Sequence, residues 1–223
     1  MNLLAMYMIW FQSAGMYGYR HCLTYVQIVS FLVEIIMAWM IPLHIFFPLV
    51  AAITLREGHR IIMSNQMALT IWIFLLCLVL PASITCFIYR HDAALQINEN
   101  NSSKYSHKKL AMILNHIFPF LTAIGTSNCQ STIEQKYEYV LQNYPQCISW
   151  VASENFEAYD YHVNPWLVRT VSAGIGFMVV STIHGACLGV HTMIVLQRLR
   201  SHMSVQIYQT HRTALISLAM QMA

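Results

Sequence analysis

Long apolar runs limit this chain more than any other feature. About 20 mostly apolar residues cross a bilayer as a helix. Runs of that order lie at residues 25–54, 61–89 and 166–197, and a shorter one lies at 110–125. Apolar stubs stand at both ends, at residues 1–12 and 213–223. They read as the end of one helix and the start of another. No basic residue precedes the first stub, as a signal peptide would require. Prolines 42, 48 and 81 fall inside runs, where a membrane helix kinks and its neighbours satisfy the freed carbonyls.

The expected fold class is therefore all-α, a polytopic transmembrane bundle. Composition agrees with the patterning. Of 223 residues, 57% are hydrophobic and 9% charged. A soluble domain carries roughly 25% charged residues, so lipid is the solvent that suits the remaining surface. A β-barrel would show short alternating segments instead of unbroken runs. No Lys/Arg run is dense enough for a nucleic-acid surface. Six cysteines include no C-x-x-C pair, so zinc is not indicated. Cys22, Cys77, Cys86 and Cys187 lie in or beside apolar runs and read as small buried hydrophobes.

The connections set the orientation. Residues 90–109 hold four of the 12 Lys/Arg residues. Arg20, Arg90, Lys104, Lys108, Lys109, Arg198, Arg200 and Arg212 fall on one side of the membrane. Arg56, Arg60, Lys136 and Arg169 fall on the other. The first side is expected to be cytoplasmic by the positive-inside rule. The loop 126–165 is then extracellular, and it carries Glu134, Glu138, Glu154, Glu157 and Asp160. Asn100 and Asn101 match the glycosylation pattern but would face the cytosol.

The long loop has order written into it. Ser131 and Glu134 are spaced as a capping box. Ile133, Tyr137, Val140, Leu141 and Tyr144 then recur at helical spacing until Pro145. Cys129 and Cys147 flank this helix in an oxidising compartment, and a disulfide between them is expected. The loop's aromatic residues, Tyr159 among them, suit a ligand entrance. Tyr161 and Trp166 better suit an interfacial belt.

Polar side chains inside the runs are the other candidates. Glu34 is costly in hydrocarbon and is expected to face the bundle, as a ligand contact or a pin between helices. His44, His116, His184 and His191 are also intramembrane. His184 and His191 share a helix face, which admits a haem reading. Hydrogen bonding between helices is the plainer alternative. Ser181, Gly185 and Gly189 form a small-residue stripe suited to helix packing.

Four segments carry a resemblance: YGYRHCLTYVQ from Tyr17, PLHIFFPLVAA from Pro42, CFIYRHDAAL from Cys86, and RLRSHMSVQIYQTHRTALISLAMQ from Arg198. They resemble, in order, the stretch after the first helix, the two-proline close of the second helix, the close of the third, and the lead into the sixth in nematode serpentine chemoreceptors of class I or class H. Ala51–Ala52 departs from the expected Ala-Gly pair.

The resemblance implies a G-protein-coupled chemosensory receptor without enzymatic chemistry, cofactor or metal. It would reside in the plasma or ciliary membrane of sensory neurons. A small molecule would bind between outer helix halves, with Glu34, His44, His116 and Tyr159 as candidate contacts. Arg90, Arg198, Arg200 and Arg212 would serve a heterotrimeric G protein, and receptor oligomers are admitted. Most of helix six and all of helix seven have no counterpart in these residues, so the chain alone is expected not to transduce. The alternative is a membrane electron-transfer or transport subunit using its intramembrane histidines.

Overall fold

The computed structural model describes residues 6–7, 9–11, 17–40, 43–46, 51–54, 64–96, 106–152, 156–202, 204–206, 208–209, 212–213 and 216. Four long helices dominate: α1 (Tyr17–Ile35), α2 (Asn65–Gln96), α3 (Ser106–Ser127) and α6 (Trp166–Arg198). Two short ones, α4 (Ile133–Asn143) and α5 (Ile148–Val151), lie in the long connection. A single π-helical turn, Ile36–Met40, prolongs α1. All four long helices contain a stretch long and apolar enough to cross a membrane. The 32 residues of α2 reach about 48 Å at about 1.5 Å each, more than a hydrocarbon core of about 30 Å.

The helices are built as lipid requires. On α3, Leu110, Ile113, Leu114, Ile117, Leu121 and Ile124 are exposed at steps of three and four, a lipid-facing stripe. Several hydroxyls inside helices bond locally, although the buried Ser181 hydroxyl on α6 does not. Thr85 donates to the Pro81 carbonyl and Thr122 to the Pro119 carbonyl, beside the two prolines that the helices contain. Ser83, Thr182 and Thr192 each donate to the carbonyl four residues back. Unsatisfied polar groups in hydrocarbon would cost several kcal/mol each, roughly.

The run expected to be one span over residues 25–54 is divided. The helical part ends at Met40. Leu43–Phe46 (β1) and Ala51–Thr54 (β2) then pair antiparallel, with His44 opposite Ile53. A third strand, Phe156–Ala158 (β3), joins β2 in the order β1-β2-β3. The physical reason is Pro42, which has no N–H to continue the helix and disfavours helical geometry in the residue before it.

By internal contacts the chain divides into two units. One comprises residues 1–29, 78–117 and 176–223, and the other 30–77 and 118–175. Eight of the 12 Lys/Arg residues and two of the nine Asp/Glu residues belong to the first, the basic unit. The other four cations and seven carboxylates belong to the second, the acidic unit. In the basic unit Tyr19, Cys86, Phe87, Ala94 and Leu196 form a buried cluster joining α1, α2 and α6. Close approach is used there: a Cβ on Gly18 would collide with the Tyr89 hydroxyl. In the acidic unit the cluster is Ala51, Tyr139, Val140, Phe156 and Ala158, which seats α4 on the sheet.

The start of α4 corrects the expected capping box by one residue. Thr132, not Ser131, is the N-cap, and Gln135, not Glu134, completes the box. The Thr132 hydroxyl accepts from the Gln135 N–H at 3.3 Å, and the Gln135 side chain accepts from the Thr132 N–H at 3.0 Å. Ser131 is buried instead. Gln serves at this position as well as Glu, and the register with Tyr139 and Val140 buried decides between them.

Candidate functional site

Arg90 stands near the end of α2 in the sequence Tyr89-Arg90-His91-Asp92. It is 3% exposed, so it is not displayed for a partner as expected. Its guanidinium carbon lies 3.6 Å from the centre of the Tyr19 ring on α1. Tyr19 in turn stacks near Tyr89, with centroids 6.0 Å apart. A cation over an aromatic face recovers part of the hydration that burial removes. Arg198, Arg200 and Arg212 are exposed. The Arg200 guanidinium lies 5.7 Å from the Tyr208 ring. Arg20 and Trp10 make a similar contact at 5.8 Å.

The next residue, His91, reaches α6. Its Nε2 and the Nδ1 of His191 are 2.8 Å apart, within hydrogen-bond distance. His91 Nδ1 is 3.7 Å from an Asp92 carboxylate oxygen. This contact was not legible in the sequence. His191 was grouped with His184 on its own helix face, and nothing in one sequence shows which helix that face meets. His91 was quoted only as part of a motif.

The acidic unit organises neutral groups. The Gln66 side chain, on the first turn of α2, donates to the Thr126 carbonyl of α3 at 2.6 Å. The Tyr159 hydroxyl donates to the Gln66 carbonyl oxygen at 2.7 Å. Gln66, Thr126 and Tyr159 are all buried. The expected ligand residue Tyr159 is thus committed to holding the loop against two helices. Burial first, and the nearby Glu157 charge second, push its phenol well above the ordinary range. Beside it Asn164 donates to the Asn128 carbonyl at 3.0 Å. Lys136 and Glu157 pair at 2.6 Å between α4 and β3. At the start of α4 the backbone N–H of Glu134, then the Thr132 hydroxyl, hold the Glu134 carboxyl below its ordinary value.

The other expected residues are dispersed. Glu34 is exposed near the end of α1, not turned into a bundle. It lies within the apolar stretch Gly18–Ala38, four residues before its end. His116 is half-buried, donates from Nδ1 to the Met112 carbonyl at 2.8 Å, and stacks near Tyr25. His44 has its backbone in β1, and its side chain lies outside the described residues. His184 is half-buried on α6.

Cys129 and Cys147 are free thiols, not the expected disulfide. The Cys129 thiol donates to the Gly125 carbonyl at 3.2 Å, and burial raises its pKa. Cys147 packs against the sheet cluster instead. Among the described residues no group of three or more metal-ligating side chains converges.

The family comparison gives these parts a common setting. The family of serpentine type 7TM GPCR chemoreceptors, Sri, matches residues 1–223. The chain belongs to this family. No curated protein and no solved structure matches it. As an Sri chemoreceptor it is a multi-pass membrane protein of a chemosensory, G-protein-coupled kind. Its family is one of receptors, and nothing found supports the electron-transfer alternative. The Tyr-Arg-His stretch that carries the resemblance is also the stretch that ties α2 to α1 and α6.

Proposed function

We propose that the basic unit is the cytoplasmic, G-protein-facing part of this chemoreceptor and that the acidic unit receives the small molecule. The observation that carries this reading is the coincidence of two independent divisions. Packing separates the chain into two units, and the same boundaries place eight of the 12 cations in one and seven of the nine carboxylates in the other. Cytoplasmic segments of membrane proteins carry the Lys/Arg excess.

Within the basic unit the two kinds of arginine have different roles. Arg198, Arg200 and Arg212 are exposed and meet the partner directly. Arg90, held on Tyr19, acts by fixing how the end of α2 presents itself. Signalling is then a population shift, so the ligand must bind the active arrangement better than the resting one. Of the expected ligand contacts, Glu34 and His44 belong to the acidic unit and remain candidates, whereas His116 belongs to the basic unit and Tyr159 is engaged by its bond to Gln66.

The test is association of the membrane-embedded chain with a heterotrimeric G protein, read by proximity luminescence in cells. Reversing Arg198, Arg200 and Arg212 to Glu is expected to reduce the signal at least several-fold at matched expression. Arg90→Ala is expected to reduce it less, and through α2. An unchanged signal in the triple reversal would remove the basic unit from coupling.

A further inference from the structure

We propose that the rim of the basic unit, where α1 and α3 enter the membrane, is a docking surface for an anionic phospholipid of the cytoplasmic leaflet. Arg20 and Lys109 are its headgroup contacts. The proposal rests on the reading that the basic unit faces the cytosol. The arginines after α6, assigned above to the G protein, take no part in it.

Depth places these cations among headgroups. The stretches of α1 and α3 able to cross a membrane are Gly18–Ala38 and Lys109–Ser127. Arg20 is the third residue of the one, and Lys109 is the first of the other. At about 1.5 Å per residue, both lie within about 3 Å of where their span begins, next to the polar headgroup layer. Both segments belong to the basic unit, and there the two helices meet. The Tyr25 and His116 rings stack with centroids 6.0 Å apart. His21 lies one turn before Tyr25, and Lys109 two turns before His116, each on the same helix face as the stacked ring.

Shape suits a lipid. Leu110, Ile113 and Leu114, directly above Lys109, are each more than half exposed. An acyl chain lies along this stripe when its headgroup is at Lys109. On the other side Tyr7, Trp10 and Phe11 are exposed aromatics. Trp10 is held by the Arg20 guanidinium, 5.8 Å from its ring centre, and by His21 edge-on at 5.8 Å. Aromatic rings gather at the membrane–water interface, where one end is apolar and the other wet.

Charge selects the lipid. No Asp or Glu occurs in residues 1–29 or 101–117. Of the two carboxylates in the basic unit, Asp92 stands beside His91, and Glu99 lies outside the described residues. A phosphatidylcholine headgroup would bring its own ammonium among these cations. A phosphatidylserine headgroup brings net negative charge instead. Each Lys or Arg near such a surface favours it about fivefold.

The test places the full chain in phosphatidylcholine bilayers that carry a little phosphatidylserine with a photo-cross-linker near its headgroup. A parallel sample carries phosphatidylcholine labelled in the same way. Cross-linked peptides are identified by mass spectrometry. Phosphatidylserine is expected to label residues 7–21 and 109–117 at least about fivefold more than phosphatidylcholine does. Arg20→Gln together with Lys109→Gln is expected to bring the two lipids level there. The phosphatidylcholine label, which reports folding, is expected to stay. A preference that survives in the double variant would overturn the proposal, as would equal labelling of the wild type by the two lipids. A preference confined to residues 198–212 would also overturn it, and would move the lipid to the G-protein arginines. Should the double variant fail to fold, the wild-type pattern decides alone. The same lipids fill both leaflets, so the outcome does not depend on which side the basic unit faces. The orientation stands or falls separately.

Discussion

The two units hold themselves together with different chemistry. In the acidic unit the links of the loop to α2 and α3 are neutral, an amide, a phenol and backbone carbonyls, beside a strand ladder and one ion pair, Lys136–Glu157, between α4 and β3. In the basic unit they run through ionisable side chains: Arg90 on Tyr19, and His91 with His191 and Asp92. A neutral network has one protonation state over the working range and specifies one arrangement. A charged network holds only while each partner stays in place, so a shift of one helix exchanges its contacts. In a receptor, the first suits a rigid frame for a binding region, and the second suits a surface that must change when a signal arrives. The buried Arg90 shows how the two demands meet. Its charge is kept and is sheltered by an aromatic ring that can let it go.

The largest effect that would break the contrast lies in the acidic unit. Gln66→Leu removes the acceptor of the Tyr159 hydroxyl and one of two donors to the Thr126 carbonyl, which keeps the Cys129 N–H. An unsatisfied buried polar group costs roughly 1–3 kcal/mol, so a loss of about 3 kcal/mol is expected in denaturant unfolding. Arg90→Ala made together with it should add its own separate loss. If the two losses fail to add, the two networks are one, and the contrast fails.

A smaller effect sharpens the contrast from the alkaline side. The Tyr159 phenol is raised by burial, so the folded state keeps its proton where an unfolded chain, with a pKa of about 10, has lost it. The folded state therefore binds more protons, and stability falls as pH rises above about 10. The slope contributed by this group is up to about 1.4 kcal/mol per pH unit. Ultraviolet titration should show a late tyrosine step that appears only as the protein unfolds, and Tyr159→Phe should reduce its amplitude by one tyrosine. A Tyr159 that titrates with the exposed tyrosines would contradict its burial.

The smallest expected effect concerns α4. Thr132→Ala deletes the hydroxyl that accepts from Gln135 N–H. Losing such a cap costs about 1 kcal/mol. Ser131→Ala should not disturb the cap, which separates the observed register from the expected one.

That register shows how the sequence was legible. The apolar runs announced the membrane helices because their length is dictated by bilayer thickness, not by neighbours. The existence of α4 was also visible, from the spacing of Tyr137, Val140, Leu141 and Tyr144. Its cap was displaced by one residue because Ser131 and Thr132 are adjacent hydroxyls, each followed three residues later by an acceptor. Only the packing of Tyr139 and Val140 on the sheet selects between them.

The strands at residues 43–46 and 51–54 were hidden inside an apolar run, since periodicity does not separate a short buried strand from a helix. Pro42 was the available signal, and it was read as a kink. Of the site, Arg90 was found by motif but expected on the surface. The His91–His191 bond joins positions 100 residues apart and leaves no local mark in a single sequence. Cys129 and Cys147 flank one helix in sequence, yet their thiols serve different neighbours.

The central claim is that the basic unit faces the cytosol and the acidic unit faces outward. Glycosylation tests it most directly, because the modification occurs only on the outer side. Asn100 and Asn101, which lie outside the described residues, fall in the basic unit and both match the acceptor pattern. Pro145→Thr creates a third acceptor at Asn143, at the end of α4 in the acidic unit. The account predicts no glycosidase-sensitive mass on the unaltered chain and one glycan on Pro145→Thr. Glycan at Asn100 or Asn101, with none at Asn143, would contradict it and invert the receptor in its membrane.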